Sequence, residues 1–306
     1  MIVSNLLIIF PILVLSAELI ARGAEKLEEF MGQGMAGGII MGLLTALPET
    51  IFVIIASIRG EPYIALGSAI GGNVMLFTFG VGLLGIYNFL RWKKNLVIAE
   101  DYSVEHRFLI ASTMLLLIVL IYGSLDIYTS IPLLSLYGYY TYYRVKKFVK
   151  EDREEAEREE IIKAALYLVM GAFLLILFSE PFIGDVAELS SYFHIPSIWL
   201  ALILTPLAGE LEETITAIRL TTTSEHGGSL AIFDFVGSKI QNATVLLAIV
   251  GLFNDVRLQP GMSEIVATLI ANTFAIFILM DKNLGLKESI MLLFVYFLVA
   301  YFTLVF

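Results

Sequence analysis

Apolar stretches of about 20 residues, the length at which a helix crosses the hydrocarbon core of a bilayer, follow one another along the whole chain. They do not alternate apolar with polar positions, and they are too long for the strands of a membrane barrel. The pattern predicts ten helical spans, at about 3–22, 35–58, 63–90, 107–123, 126–144, 162–183, 196–219, 229–252, 262–281 and 287–306. Polar and charged residues collect between them. The clearest polar segment is "RVKKFVKEDREEAEREEIIK", residues 144–163, with opposite charges at helical spacing. It leaves five spans on each side. The expected organisation is a first five-helix repeat over 1–148, a charged cytoplasmic linker over 149–161 and a second repeat over 162–306.

The two halves align. Ser16, Glu25 and Phe30 fall on Ser179, Glu188 and Phe193 at an offset of 163. Leu47 and Glu49 fall on Leu211 and Glu213 at 164, and Gly71 falls on Gly237 at 166. Three matches in one order and at nearly one offset indicate a duplication. An odd number of spans per half forces the second copy to be inverted. Inverted repeats characterise secondary transporters, whose sites lie near the midplane where Pro- or Gly-interrupted segments of the two halves meet. Those segments are spans 2 and 7, and spans 3 and 8. The fold class expected is an all-α polytopic membrane protein of ten helices in two inverted repeats.

Composition agrees: 58% of residues are hydrophobic and only 16% charged, where soluble domains average about 25% charged. With no cysteine in the chain, disulfides, thiolate metal sites and a cysteine nucleophile are excluded. No basic patch suggests nucleic acid. The N-terminal segment lacks a basic region and a cleavage site and reads as the first span. With the N-terminus outside, 16 of the 19 lysines and arginines fall on the cytoplasmic side. That bias places both termini outside the cell membrane.

Candidate chemistry centres on "TALPET", residues 45–50. A carboxylate in mid-membrane costs about 2.5–3.5 kcal/mol on insertion scales and persists beside a cavity, a cation or a partner. Pro48 frees a carbonyl one turn earlier, and Thr45 adds a hydroxyl on the face of Glu49. Oxygen ligands alone suit Na⁺, Ca²⁺ or Mg²⁺. Glu213 in the second half brings another carboxylate. Asn73 and Asn242 read either as ligands or as helix-packing amides. Glu18 and Glu180 read as structural or gating residues, and the tyrosines of "YGYYTYY" as an interface belt. The three histidines have no ligand spacing.

These segments resemble the calcium/cation antiporters, which include Na⁺/Ca²⁺ exchangers. That family carries G-T-S-L-P-E in its second span and G-S-N-x-x-N or a near variant in its third. Here "LTALPE" (44–49) and "GSAIGGNVML" (67–76) are similar to the first pair, and "AGELEE" (208–213) and "VGSKIQN" (236–242) to the second. The resemblance implies that Glu49 and Glu213 coordinate the transported cation. It also implies that Thr45, Ser238 and Asn242 supply neutral oxygens. No enzyme activity and no cofactor are implied. The resemblance further implies Ca²⁺ exchanged for Na⁺ as cargo and a monomer sufficient for transport. The departures are specific. Gly72 and Leu76 replace two span-3 ligands. Gly209, Glu210 and Glu212 replace threonine, serine and proline, and Lys239 replaces an asparagine. Glu210 is a compensating ligand on this reading. Lys239 is either a tethered cation at the site or half of an ion pair facing away from it. The alternatives are H⁺ coupling, another divalent such as Mg²⁺, or a cation-binding protein that does not transport.

Overall fold

The computed structural model describes residues 2–31, 46–98, 103–147, 158–224 and 227–305. The chain there is almost wholly helical. We number the helices α1 (Ile2–Met31), α2 (Leu47–Ile58), α3 (Pro62–Val74), α4 (Val81–Trp92), α5 (Ser103–Tyr122) and α6 (Ile127–Lys147). The second half has α7 (Arg158–Phe193), α8 (Ser197–Thr223), α9 (Gly227–Gln241), α10 (Leu247–Phe253), α11 (Met262–Leu279) and α12 (Leu286–Val305). A π-helical segment, Met75–Gly80, joins α3 to α4, and another, Asn242–Leu246, joins α9 to α10. Each of these composite rods is one continuous span. Among the described residues, seven helices have the length and apolarity to cross a membrane. The other three expected spans are α2, of which 12 residues are described, the tyrosine-rich α6, and α8 with its three glutamates. The linker expected at 149–161 lies outside the described residues up to 157. From Arg158 it is helical and continuous with α7.

Burial sorts the helices into layers. The apolar stretches of the α3–α4 and α9–α10 rods are 83% and 78% buried, whereas that of α7 is 17% buried. The two rods therefore form the protein's centre. The outer helices turn residues such as Phe173, Phe277 and Phe294 outward, where lipid favours them. In this chain the hydrophobic surface is the solvent-matched one, and the informative residues are the buried polar ones.

Small residues set how close the helices come. A Cβ on Gly71 would meet Leu202, with the Leu202 Cα 2.8 Å away, and one on Gly67 would lie 2.8 Å from the Cβ of Ala201. The glycines of α3 thus press directly on the backbone of α8. On the other side α1 and α7 lie together. Gly23 meets Leu168 and Ala164, Gly171 meets Ser16 and Ile20, and Ser16 and Ser179 are fully buried.

The inverted duplication is visible in the connections. Two-residue strands follow α4 (β1, Leu96–Val97), precede α6 (β2, Ser124–Leu125), follow α10 (β3, Val256–Arg257) and precede α12 (β4, Asn283–Leu284). β1 pairs with β4 and β2 with β3, both antiparallel. The pairing is crosswise, each half completing the other's loop. Ion pairs follow the same exchange. Glu18 of α1 meets Arg219 near the end of α8 at 3.3 Å, and Glu180 of α7 meets Arg59 just past α2. Glu18 also bonds Arg22 at 2.7 Å. The two glutamates read as structural or gating residues are thus tied to equivalent arginines.

The tyrosine belt is only half a belt. Tyr139, Tyr142 and Tyr143 face outward, but Tyr140 is buried against Phe108, and Tyr137 donates to Gln241 at 2.9 Å.

Gly71→Ala should force α3 from α8 and cost about 1–3 kcal/mol, as overpacking does. Gly138→Ala, with nothing within 4 Å of the new methyl, should leave stability unchanged or higher. Thermal unfolding of the detergent-solubilised protein distinguishes the two.

Candidate functional site

The site is built from two helix segments and the two central rods. In the first half, α2 begins at Leu47 with Pro48 in its first turn. There the missing N–H leaves no bond unmade. Among the described residues Pro48 therefore starts a helix rather than interrupting one, and Thr45 lies outside them. Glu49 sits in the same first turn. In the second half the matching segment is interior to the long helix α8, with no break at Glu212. The local bonding is nonetheless the same. Thr50 donates its hydroxyl to the Ala46 carbonyl at 2.6 Å, and its counterpart Thr214 donates to the Glu210 carbonyl at 2.9 Å.

The rods repeat this correspondence. Thr78 donates to the Val74 carbonyl at 2.5 Å, and Thr244, 166 positions later, donates to the Ile240 carbonyl at 2.5 Å. Both bonds fall at the π-helical segments. Such segments widen the helix by one residue per turn and free backbone groups, and they recur at functional sites.

Four buried side chains line the inner faces. Glu210, Glu213, Ser238 and Asn242 are at most 6% exposed. Ser238 donates to Glu213 Oε1 at 2.5 Å, and the Asn242 amide nitrogen donates to Glu210 Oε1 at 2.7 Å. Glu49, Glu210 and Glu213 lie close enough to act on one another electrostatically. Among the described residues at this site, three buried oxygens have no hydrogen-bond donor: Glu49 Oε2, Glu213 Oε2 and Asn242 Oδ1. Unmatched acceptors at this depth are costly and rare in proteins. Each needs a proton or a cation. Among the described residues no three acid or imidazole groups converge on one point. A cation here would therefore combine carboxylate oxygens with amide, hydroxyl and carbonyl oxygens.

The departures from the family signature explain one another sterically. A Cβ on Gly72 would collide with Glu210 Oε1 and lie 2.7 Å from the Asn242 amide nitrogen. A Cβ on Gly209 would collide with the Glu49 carboxylate. The two missing side chains, serine and threonine, are replaced by the space that two carboxylates fill.

Asn73, expected near the site, is turned to a different partner. Its Oδ1 accepts from Lys239 at 3.3 Å, and its amide nitrogen bonds the Ala69 carbonyl. Lys239 is fully buried. It donates to Asn272 Oδ1 at 2.5 Å and stands 4.6 Å from the centre of the Phe77 ring. Asn272 of α11 and Phe77 were not singled out from sequence. A lone amide inside the apolar run 262–281 was the available signal.

A cavity with about 20 Å³ of space for water centres lies between the α1/α7 pair and the α2/α8 segments. It is lined by Leu13, Leu175, Pro48, Glu49, Gly209 and Glu210, among others. That is room for about one water, and it leads to the carboxylates.

Known proteins share this fold. The chain is 30% identical over 105 residues to the sodium/calcium exchanger NCL2 of Oryza sativa subsp. japonica, covering 32% of this chain and 18% of that protein. It thus spans under a fifth of that relative's length. The fold matches the solved H⁺/Ca²⁺ exchanger CAX with a TM-score of 0.83 at 19% identity, over 99% of this chain and 86% of that one. It matches the sodium-calcium exchanger NCX_Mj with a TM-score of 0.68 at 18% identity, over 98% and 99%. The pattern of the family described as sodium/calcium exchanger protein matches residues 2–146 and 163–305. With both halves and nearly every described helix inside that match, the chain is a multi-pass member of the sodium/calcium exchanger protein family.

Proposed function

We propose that the chain exchanges Ca²⁺ for Na⁺ across the cell membrane by alternating access, with both termini outside and the repeats divided at about 149–161. The observation that carries this reading is the set of donor-less buried oxygens on Glu49, Glu213 and Asn242. Two of them belong to residues that the duplication superimposes. Oxygens with no donor favour a hard cation. A site between inverted repeats can present it to either side.

The helices α1 and α7 suit a moving pair. They lie side by side through glycine contacts and cover the cavity that reaches Glu49 and Glu210. Their ties to the centre at the two ends are the exposed pairs Glu18–Arg219 and Glu180–Arg59. Exposed pairs of this kind contribute about 0–1 kcal/mol, so they break and re-form cheaply.

Coupling to H⁺ is the second reading. What favours it is Glu210, a further buried carboxylate where the first repeat has Ala46. Grouped acids bind protons more readily than isolated ones.

Gly72 and Gly209 leave the space that the Glu210 and Glu49 carboxylates occupy, and on this reading the altered signature still holds a cation. Gly72→Ser alone should therefore displace Glu210 and weaken Ca²⁺ binding. The triple variant Gly72→Ser/Glu210→Ala/Lys239→Asn removes both the collision and the charge that Glu210 offset, and should recover much of it. Equal defects in the single and the triple variant would count against the steric argument.

The function itself is tested by radiolabelled Ca²⁺ uptake into liposomes holding the purified protein, with an outward Na⁺ gradient, an outward H⁺ gradient, or neither. Na⁺-driven uptake, abolished by Glu213→Gln, is the expected result. Uptake driven only by H⁺ selects the second reading. Normal uptake by Glu213→Gln would remove the site assignment, and no uptake under any gradient would remove the exchange reading.

A further inference from the structure

At the signature segments the second repeat carries two acids and one base that the first lacks, Glu212 standing in place of Pro48. Glu210 stands where the first repeat has Ala46, and Lys239 where it has Asn73. Both are buried at 1% exposure or less, and the two act on each other electrostatically. Neither can be a solvated surface charge.

The surroundings of Lys239 are those of a bound cation. Its Nζ donates to two amide oxygens, Asn272 Oδ1 and Asn73 Oδ1. The electron-rich face of Phe77 lies on another side. These oxygens come from α3 and α11, and the lysine itself comes from α9. Three helices thus converge on one ammonium, one residue along the rod from Ser238.

Charge accounting gives this placement a consequence. Glu49, Glu210 and Glu213 carry three negative charges when ionised, and Lys239 leaves a net two. Two further acids act on these glutamates, Glu212 on Glu210 and Asp234 on Glu213. Asp234 is offset by the charge of Arg144. The count is confined to Glu49, Glu210, Glu213 and Lys239, with Glu212 turned from them. It lies about 200° around α8 from Glu210 by helix geometry, and it accepts the Thr216 hydroxyl at 2.8 Å. A net charge of minus two is balanced by one divalent ion or by two monovalent ones.

We propose that Lys239 is a resident cation of the transport site, supplying one positive charge that the site would otherwise draw from solution. The divalent ion is then exchanged against one fewer monovalent ion, and the exchange moves no net charge. This rests on the exchange reading above.

The test uses full-length protein. Displacement of radiolabelled Ca²⁺ from the solubilised protein by the driving monovalent cation should show a Hill coefficient of about two, and uptake in liposomes should ignore an imposed membrane potential. Lys239→Met should raise the steepness by about one and make any remaining uptake sensitive to potential. Lys239→Arg should keep the wild-type steepness. Glu210→Gln/Lys239→Met, which restores the charge balance without the lysine, should return to it, and it serves if Lys239→Met does not fold. Unchanged steepness in Lys239→Met, or a double variant that fails to return, overturns the resident cation while leaving exchange intact. Absence of Ca²⁺ binding by the unaltered protein overturns the exchange reading and this inference together.

Discussion

The structure is arranged around carboxylates set deep in the interior of a hydrocarbon-clad chain. Glu210 and Glu213 are buried at the centre of a chain whose outer surface is hydrocarbon. Acceptor oxygens on Glu49, Glu213 and Asn242 lack donors. An ionised group in such a place is tolerated only where opposite charge or directed dipoles stand next to it. The remaining features follow from that demand. The rods bend into π-helical segments beside the site, glycines bring α3 onto α8, and a lysine is drawn fully into the interior. A protein that fixed all these charges permanently would be stable and inert. Leaving oxygens unmatched gives a mobile cation a reason to enter.

The duplication makes this affordable. Thr50 and Thr214, and Thr78 and Thr244, make the same bonds on opposite halves. The strands β1 with β4 and β2 with β3 exchange partners between the halves. The two arginine–glutamate ties do so as well. Two copies of one element meeting at a centre give near-equivalent environments towards either face. Near-equivalence keeps two arrangements of the same contacts close in energy, and that closeness is what alternation needs.

Much of this was legible in the sequence because lipid imposes a strong and simple rule. Ten apolar runs, the five-and-five division and the inversion follow from hydropathy and from a count of spans. The residues Glu49, Glu213, Ser238 and Asn242 were marked by ionisable or polar chemistry in apolar runs. What was illegible depended on distances across the fold. Asn73 carries the same amide as Asn242, yet it is committed to Lys239 because α9 places a longer side chain against it. The sequence offered two orientations for Lys239 and no means of choosing. The choice depends on Asn272 from α11, which no local motif connects to α9. Pro48 looked like a break within a span. Among the described residues it begins the helix, a distinction that rests on backbone geometry upstream of it.

The substitutions that weaken the family signature are one rearrangement and not a series of losses. Removing the side chains at 72 and 209 would leave voids if nothing filled them, and voids beside buried charge destabilise. The carboxylates of Glu210 and Glu49 stand where those side chains would project. Hydroxyl side chains have thus been exchanged for space, and carboxylates fill that space. An added carboxylate strengthens the hold on any cation and also raises the cost of emptying the site. Lys239, appearing in the same repeat, offsets that cost while its own bonds run to Asn73 and Asn272 and not to the unmatched oxygens. Acid, base and glycine are therefore interdependent: reverting any one alone leaves either a collision or an uncompensated charge.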